Sequence, residues 1–437
     1  MAQLKLYAGF IILGTGWMYM ETIHVHGGVR LQGNVRIHGS KNAALPILAA
    51  TILTRGDNLI CNCPKIADVC QMLRLLTSLG CKVSREGDGI RVDAVDVTLS
   101  EMPVEAVTCM RSSLFLMGAL LGRRGEVVME HPGGCVIGAR PIDFHLEALK
   151  KMGAVFEEKD GKLWGRAPEG LHGADICFQT SSVGATENII LAAVTAEGIT
   201  RLQGAAREPE VEHLCRYLKK CGAQIQGIGT ECLTITGGKC LYGTQYRVPA
   251  DRIVAGTYLM ACLAVGGNVL LEEAPVEHMG AVVELGRQLG AECQLNNGAL
   301  YVQAPERLAT IDRLVTLPHP GFPTDLQSAA LVMLTAAEGE CLLQETIFEN
   351  RFRVVEPLKR MGADICQLDS RSVKVRGPVA LQGAQVEAME LRGGAALVIA
   401  GLMAEGETVV SGCGYISRGY ENICRDFREL GARIYSA

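Results

Sequence analysis

The sequence predicts an α/β protein built from six copies of one unit, divided three and three between two domains. Three observations carry this reading. A short phrase around a glycine recurs six times. Each copy is accompanied by two helix patterns, one amphipathic and one apolar all round. A short strand pattern follows each phrase. At 437 residues the chain exceeds what one core usually holds and fits two or three domains.

The phrase runs Leu79-Gly80-Cys81-Lys82-Val83, then Met152-Gly153-Ala154-Val155, then Cys221-Gly222-Ala223-Gln224-Ile225. It returns as Leu289-Gly290-Ala291-Glu292, Met361-Gly362-Ala363-Asp364-Ile365 and Leu430-Gly431-Ala432-Arg433-Ile434. Its glycines are spaced 73, 69, 68, 72 and 69 residues apart. A nearly constant period of this size marks internal repetition. Before the phrase lies an amphipathic helix, as in 144–151 and 211–220, and the glycine is its stop signal. A short strand follows, such as 223–226. Apolar helices are expected over 43–53, 114–121, 189–196, 253–265, 329–336 and 395–404. A helix without a polar face is buried, so the amphipathic partner and the strands must enclose it. The domain break falls near Arg247-Val248-Pro249-Ala250, after the third copy.

Composition narrows the function classes. Hydrophobic residues make up 48% and there are 51 glycines, as in α/β proteins with tight turns. A net charge of -5 gives no global pull toward nucleic acid, so an anionic ligand must be held by local Lys and Arg. The 17 cysteines are dispersed, with no Cys-x-x-Cys, and the nine histidines form no His-Glu-x-x-His. They read as reduced, mostly buried thiols of a cytosolic protein, and a structural zinc site is disfavoured. Residues 7–13 are mostly apolar after Lys5 and faintly resemble a signal peptide. The run is short and lacks a cleavage site. Residues 1–20 therefore read as an extension, disordered or upstream of the true start, with Met1 or Met20 as initiator. No run approaches the ~20 apolar residues of a membrane span.

The polar residues cluster at the starts of the apolar helices. Lys41-Asn42, Arg111, Ser182-Val183-Gly184, Asp251-Arg252, Thr324-Asp325 and Glu390-Leu391-Arg392 occupy the six starts. A helix N-terminus presents free N–H groups and a positive dipole end. A Lys or Arg there costs ~0.3–1 kcal/mol unless something negative binds. One such residue reads as a solvated side chain; four at equivalent starts point to a cleft for several anions. Asp325 follows His319-Pro320-Gly321-Phe322-Pro323-Thr324, a rigid turn. It either caps its helix or acts as a general base among cations. Arg418 is either a surface residue or another anion contact. The loop Gly133-Gly134-Cys135-Val136-Ile137-Gly138-Ala139-Arg140-Pro141 has its own pair of readings. It is a surface hairpin with an incidental cysteine, or it presents a reactive thiol beside Arg140.

Several stretches together are specific. They are Gly39-Ser40-Lys41-Asn42-Ala43-Ala44-Leu45-Pro46, the 133–141 loop, and Ser182-Val183-Gly184-Ala185-Thr186. Ala206-Arg207-Glu208-Pro209-Glu210, Phe322-Pro323-Thr324-Asp325, Phe348-Glu349-Asn350-Arg351-Phe352 and Arg418-Gly419-Tyr420-Glu421 complete the set. From Glu21 onward the chain resembles the UDP-N-acetylglucosamine 1-carboxyvinyltransferase family of enolpyruvyl transferases, which serves peptidoglycan precursor synthesis.

The resemblance implies two inside-out α/β barrels of three repeats each. The N-terminal strand would join the C-terminal domain, so 42–249 form the first domain and 21–41 plus 250–437 the second. It implies phosphoenolpyruvate and UDP-N-acetylglucosamine as partners, a cytoplasmic location, and no metal, organic cofactor, nucleic acid or membrane. Lys41, Arg140, Arg392 and Arg418 would hold phosphoenolpyruvate, with Asn42 close by. Arg111, Arg140, Pro141, Ile142, Asp143, Phe144, Ser182, Val183, Gly184, Asp325 and Ile347 would line the UDP-sugar site. Cys135 would be the proton donor and Asp325 the base. Two positions depart from the family. Glu390 stands where Asp is common, and Thr180 where some members have Lys. A related acceptor, or a binding scaffold without turnover, are the alternative readings; the intact set of Lys41, Cys135, Arg140, Asp325, Arg392 and Arg418 opposes the scaffold.

Overall fold

A computed structural model describes residues 12, 13, 16, 17, 22–104, 107, 110–130, 137, 142–296 and 298–437. Among these residues the strands form six sheets of three to five strands and two short two-stranded ladders. Each repeated glycine ends an amphipathic helix. The helices are Ala67–Ser78, Asp143–Lys151, Pro209–Lys220, Gly280–Gln288, Val355–Arg360 and Ile423–Glu429. The glycine two residues past each has φ between 85° and 109°, a left-handed turn that a Cβ would strain. Strands Lys82–Glu86, Val155–Lys159, Gln224–Gln226, Glu292–Asn296, Asp364–Gln367 and Arg433–Ser436 follow.

The apolar helices are Lys41–Ala50, Phe115–Arg124, Val183–Ala193, Arg252–Val265, Gln327–Leu334 and Leu391–Met403. The third begins six residues before its expected start at Ile189. Ser182 caps it, accepting the Ala185 N–H at 3.4 Å, and the polar residues Thr186, Glu187 and Asn188 are buried within it. Asn188 explains part of that burial. Its Oδ1 accepts the Gly118 N–H at 2.7 Å, in the first turn of the neighbouring helix. A Cβ on Gly118 would lie 2.3 Å from the Asn188 carbonyl oxygen, so only glycine lets these helices approach so closely.

Two hydrophobic cores result. One draws on buried residues from Ala43 to Val248. The other joins Ile23, Val25, Leu31, Val35 and Ile37 to residues from Ile253 to Ile434. Thr22–His26 lies between Glu407–Ser411 and Arg433–Ser436, antiparallel to both. Leu31–Arg36 runs parallel to Gly267–Glu272. The chain therefore passes between the halves twice, over 37–41 and 248–252. The two passages touch: Gly39 and Ala250 form an antiparallel bridge, Ser40 N–H donates to the Pro249 carbonyl at 2.7 Å, and Asp251 N–H to the His38 carbonyl at 2.9 Å.

Candidate active site

The site begins at this double crossing. Asp251 is 2% exposed. Its Oδ1 caps the helix Arg252–Val265, accepting the N–H groups of Ile253 and Val254 at 2.8 and 3.1 Å. Its Oδ2 accepts the Lys41 N–H at 3.0 Å, the first residue of the other helix. Charge-assisted bonds of this kind are the stronger ones. One carboxylate thus sets two helix starts side by side, each carrying a cation at the mouth of one cleft.

That cleft has a volume of about 550 Å³ and lies between the halves. It gathers Lys41, Asn42, Arg111, Phe144, Ser182, Val183, Gly184, Asp325, Ile347, Arg392 and Arg418, residues expected from the sequence. Thr180 lines it too. Ile142 and Asp143 stand just outside the wall: Ile142 packs on the first core, and Asp143 is exposed at the start of its helix. Cys135, Arg140 and Pro141 lie outside the described residues. Ile137, from the same loop, is buried against the cleft, and its carbonyl accepts the Asn350 N–H from the other half at 2.9 Å.

The helix-start cations meet carboxylates from neighbouring elements. Lys41 Nζ lies 3.0 Å from Asp68, which also takes Arg418 Nε at 2.8 Å. Arg252 pairs with Glu210 at 3.2 Å. Arg392 donates to Asp325 Oδ2 through Nε at 3.2 Å and Nη2 at 2.9 Å, while Arg351 holds Asp325 Oδ1. The dipole cost expected at these starts is thus offset inside the protein itself. The capping reading of Asp325 fails, because its oxygens face the two guanidiniums and the cap of its helix makes no side-chain bond. Burial pushes the Asp325 carboxyl up, but Arg392, Arg351 and Lys41 together outweigh it and hold it well below the usual range. Arg351 Nε and Arg392 Nη1 are buried with no acceptor among the described residues, so donor capacity remains at this wall.

Local anchors fix these groups. Glu345 is 1% exposed; it accepts the Ile347 and Phe348 N–H groups at 2.8 and 3.1 Å and the Thr324 hydroxyl at 2.9 Å. It thereby ties the Ile347 loop to the turn bearing Asp325. Glu390, with its extra methylene, caps Leu391–Met403 through the Arg392 N–H at 2.8 Å and the Gly393 N–H.

Sequence reasoning missed part of the wall. Asp68, Glu187, Glu208, Glu210, His319 and Arg351 also line the cleft, beside Arg252, one of the four helix-start cations. Glu208, Glu210 and Arg351 sat inside the specific stretches, which was the available signal. Asp68 had none, because an acidic residue in a first helical turn reads as a dipole partner. Glu187 is buried beside Glu210 and Glu208; burial first, then those charges, push its carboxyl well above the ordinary value.

The family model for EPSP synthase (3-phosphoshikimate 1-carboxyvinyltransferase) matches residues 25–427. The chain belongs to this family. UDP-N-acetylglucosamine 1-carboxyvinyltransferase 2 of Caldanaerobacter subterraneus subsp. tengcongensis is 47% identical over 415 residues, covering 95% of this chain and 99% of that one. The UDP-N-acetylglucosamine 1-carboxyvinyltransferase of Oleidesulfovibrio alaskensis is 44% identical, with the same coverage of each chain. Among solved structures, the enolpyruvyl transferase NikO from Streptomyces tendae superposes with a TM-score of 0.85 at 22% identity, covering 95% of this chain and 99% of that one. An EPSP synthase from Acinetobacter baumannii gives 0.74 at 18% identity, covering 95% and 100%. These two likenesses establish the α/β enolpyruvyl transferase fold.

Proposed function

We propose that the chain transfers the enolpyruvyl group of phosphoenolpyruvate to the 3′-hydroxyl of UDP-N-acetylglucosamine and releases phosphate, opening peptidoglycan precursor synthesis. One observation carries the reading: a cleft lined by helix-start cations in a chain 42–47% identical, over 95% of its length, to four relatives named for that reaction.

The chemistry is an addition followed by an elimination. The sugar oxygen bonds to C2 of phosphoenolpyruvate as its proton leaves and another proton reaches C3. The tetrahedral product then loses a C3 proton and the phosphate, which restores the double bond. Lys41, Arg140, Arg392 and Arg418 hold the phosphoenolpyruvate anion, with Asn42 beside them. Arg111, Phe144, Ser182, Val183, Gly184 and Ile347 hold the nucleotide sugar, with Pro141, Ile142 and Asp143 in the segment beside them. Asp325 takes the hydroxyl proton and Cys135 supplies the one for C3. Asp325 is a weak base while two guanidiniums grip it. As Arg351 and Arg392 turn toward the substrate anion, its proton affinity rises at the moment it is needed.

The same reading includes the finer architecture. The six sheets with their helix pairs are copies of one unit arranged as two inside-out barrels, with 42–249 as one domain and 21–41 plus 250–437 as the other. The test is a coupled phosphate-release assay with phosphoenolpyruvate and either acceptor. UDP-N-acetylglucosamine should support turnover. Faster turnover with shikimate 3-phosphate would overturn the acceptor and leave the family standing.

A further inference from the structure

Two carboxylates in the cleft each straddle two cations. Asp325 has a role in the reaction above; Asp68 has none. Asp68 sits in the first turn of Ala67–Ser78, and its side chain is 5% exposed. Lys41 Nζ lies 3.0 Å from its Oδ2. Arg418 Nε donates to its Oδ1 at 2.8 Å, and Nη2 to its Oδ2 at 3.4 Å. Lys41 opens the helix Lys41–Ala50, which packs in the first core, Arg418 lies in the second half, and all three line the cleft.

Two cations held this close repel each other unless a negative charge lies between them. Asp68 supplies it. Burial alone would favour the neutral acid, yet Lys41 and Arg418 hold the carboxyl below its usual range, so it stays ionised at neutral pH. A phosphate entering the cleft needs the same N–H donors. It must take them from Asp68 and then sit near a like charge.

We propose that Asp68 is a positioning residue that stands in for the substrate phosphate: it holds Lys41 and Arg418 in place before phosphoenolpyruvate arrives and competes with it afterwards. The proposal rests on the reading of Lys41 and Arg418 as phosphoenolpyruvate contacts. It makes an unusual demand. Removing the charge should tighten substrate binding and slow turnover at once, because the competitor and the placement disappear together. A residue that merely supports the fold would weaken both.

A second tie between the same elements serves as control. Lys65 N–H donates to Glu421 Oε1 across the halves at 2.8 Å and touches neither cation. Asp68→Asn and Glu421→Gln are compared with the parent by thermal-shift titration with phosphoenolpyruvate, with and without UDP-N-acetylglucosamine, and by steady-state KM and kcat. Asp68→Asn should lower the phosphoenolpyruvate dissociation constant roughly tenfold and reduce kcat, whereas Glu421→Gln should leave affinity within about twofold. Should Asp68→Asn melt early, Asp68→Ser removes the same charge with less bulk and should move affinity the same way. Unchanged or weaker binding in the folded Asp68 variant overturns the proposal, as does equal tightening in Glu421→Gln, which would make the tie between halves the cause. Lys41→Met separates the two layers: if it binds phosphoenolpyruvate like the parent, the cation reading fails instead.

Discussion

Asp251→Ala should be among the most damaging single changes outside the hydrophobic cores, and its cost can be built from the bonds. The alanine removes the cap of Arg252–Val265, which accepts two N–H groups at 2.8 and 3.1 Å. Losing such a cap costs about 1–2 kcal/mol. It also leaves the Lys41 N–H, bonded at 3.0 Å, without its charged acceptor. That adds about 1–3 kcal/mol. The sum is about 2–5 kcal/mol. Asp251→Asn keeps an oxygen for the cap but turns an amide NH₂ toward the Lys41 N–H, so only the second cost applies. Urea unfolding followed by far-ultraviolet circular dichroism should rank the parent above Asp251→Asn and that above Asp251→Ala. Because the same bond fixes the start of the Lys41 helix, both variants should raise the KM for phosphoenolpyruvate. An alanine variant within about 1 kcal/mol of the parent would refute the idea that this carboxylate organises the double crossing.

Three further outcomes are expected. Asp325→Asn should fold but lose about 10²–10⁴-fold in turnover, measured as phosphate release, with an effect of only a few-fold reducing Asp325 to a holder of Arg351 and Arg392. Cys135 should be the thiol alkylated by fosfomycin, located by peptide mass mapping, since burial pushes Cys63, Cys81, Cys215, Cys262 and Cys413 up to about 12 and keeps them as unreactive thiols; Cys135→Asp should keep activity and escape labelling, and alkylation elsewhere with Cys135 intact would sink the assignment. His213 and His319 are lowered to about 4, by burial first and then by nearby positive charge, so both stay neutral in the folded chain. Unfolded histidine titrates near ~6.5, so their contribution is complete above that pH and is lost as pH falls toward 4; the melting temperature should drop across this window, less so in His213→Gln, and a flat profile would contradict it.

Much of the site was legible because the fold brings the starts of the apolar helices together. Lys41, Arg111, Ser182, Asp325 and Arg392 lie far apart in the chain, yet each lies at the start of an apolar helix or just before it, and all of them line one cleft. The apolar pattern of Val183–Ala193 was legible only from Ile189 onward, because Thr186, Glu187 and Asn188 are polar residues buried inside the helix. Two neighbouring helices give Asn188 a reason to be there, through the Gly118 N–H at 2.7 Å and His145 Nδ1 at 2.8 Å.

The amino-acid sequence by itself determined the periodic layout. Left-handed turns must fall at glycine, apolar helices must be buried, and both requirements are local and recur about every 70 residues. The charge pairing was decided by the tertiary structure alone. Whether Lys41 and Arg418 meet solvent, a ligand or Asp68 depends on how the two halves face each other, and Asp68 and Arg418 are 350 positions apart. Hydrophobic patterning repeats along a chain because it follows from the geometry of one helix or strand. The partner of a charge does not, because it is chosen by whatever the folded surface brings within a few ångströms.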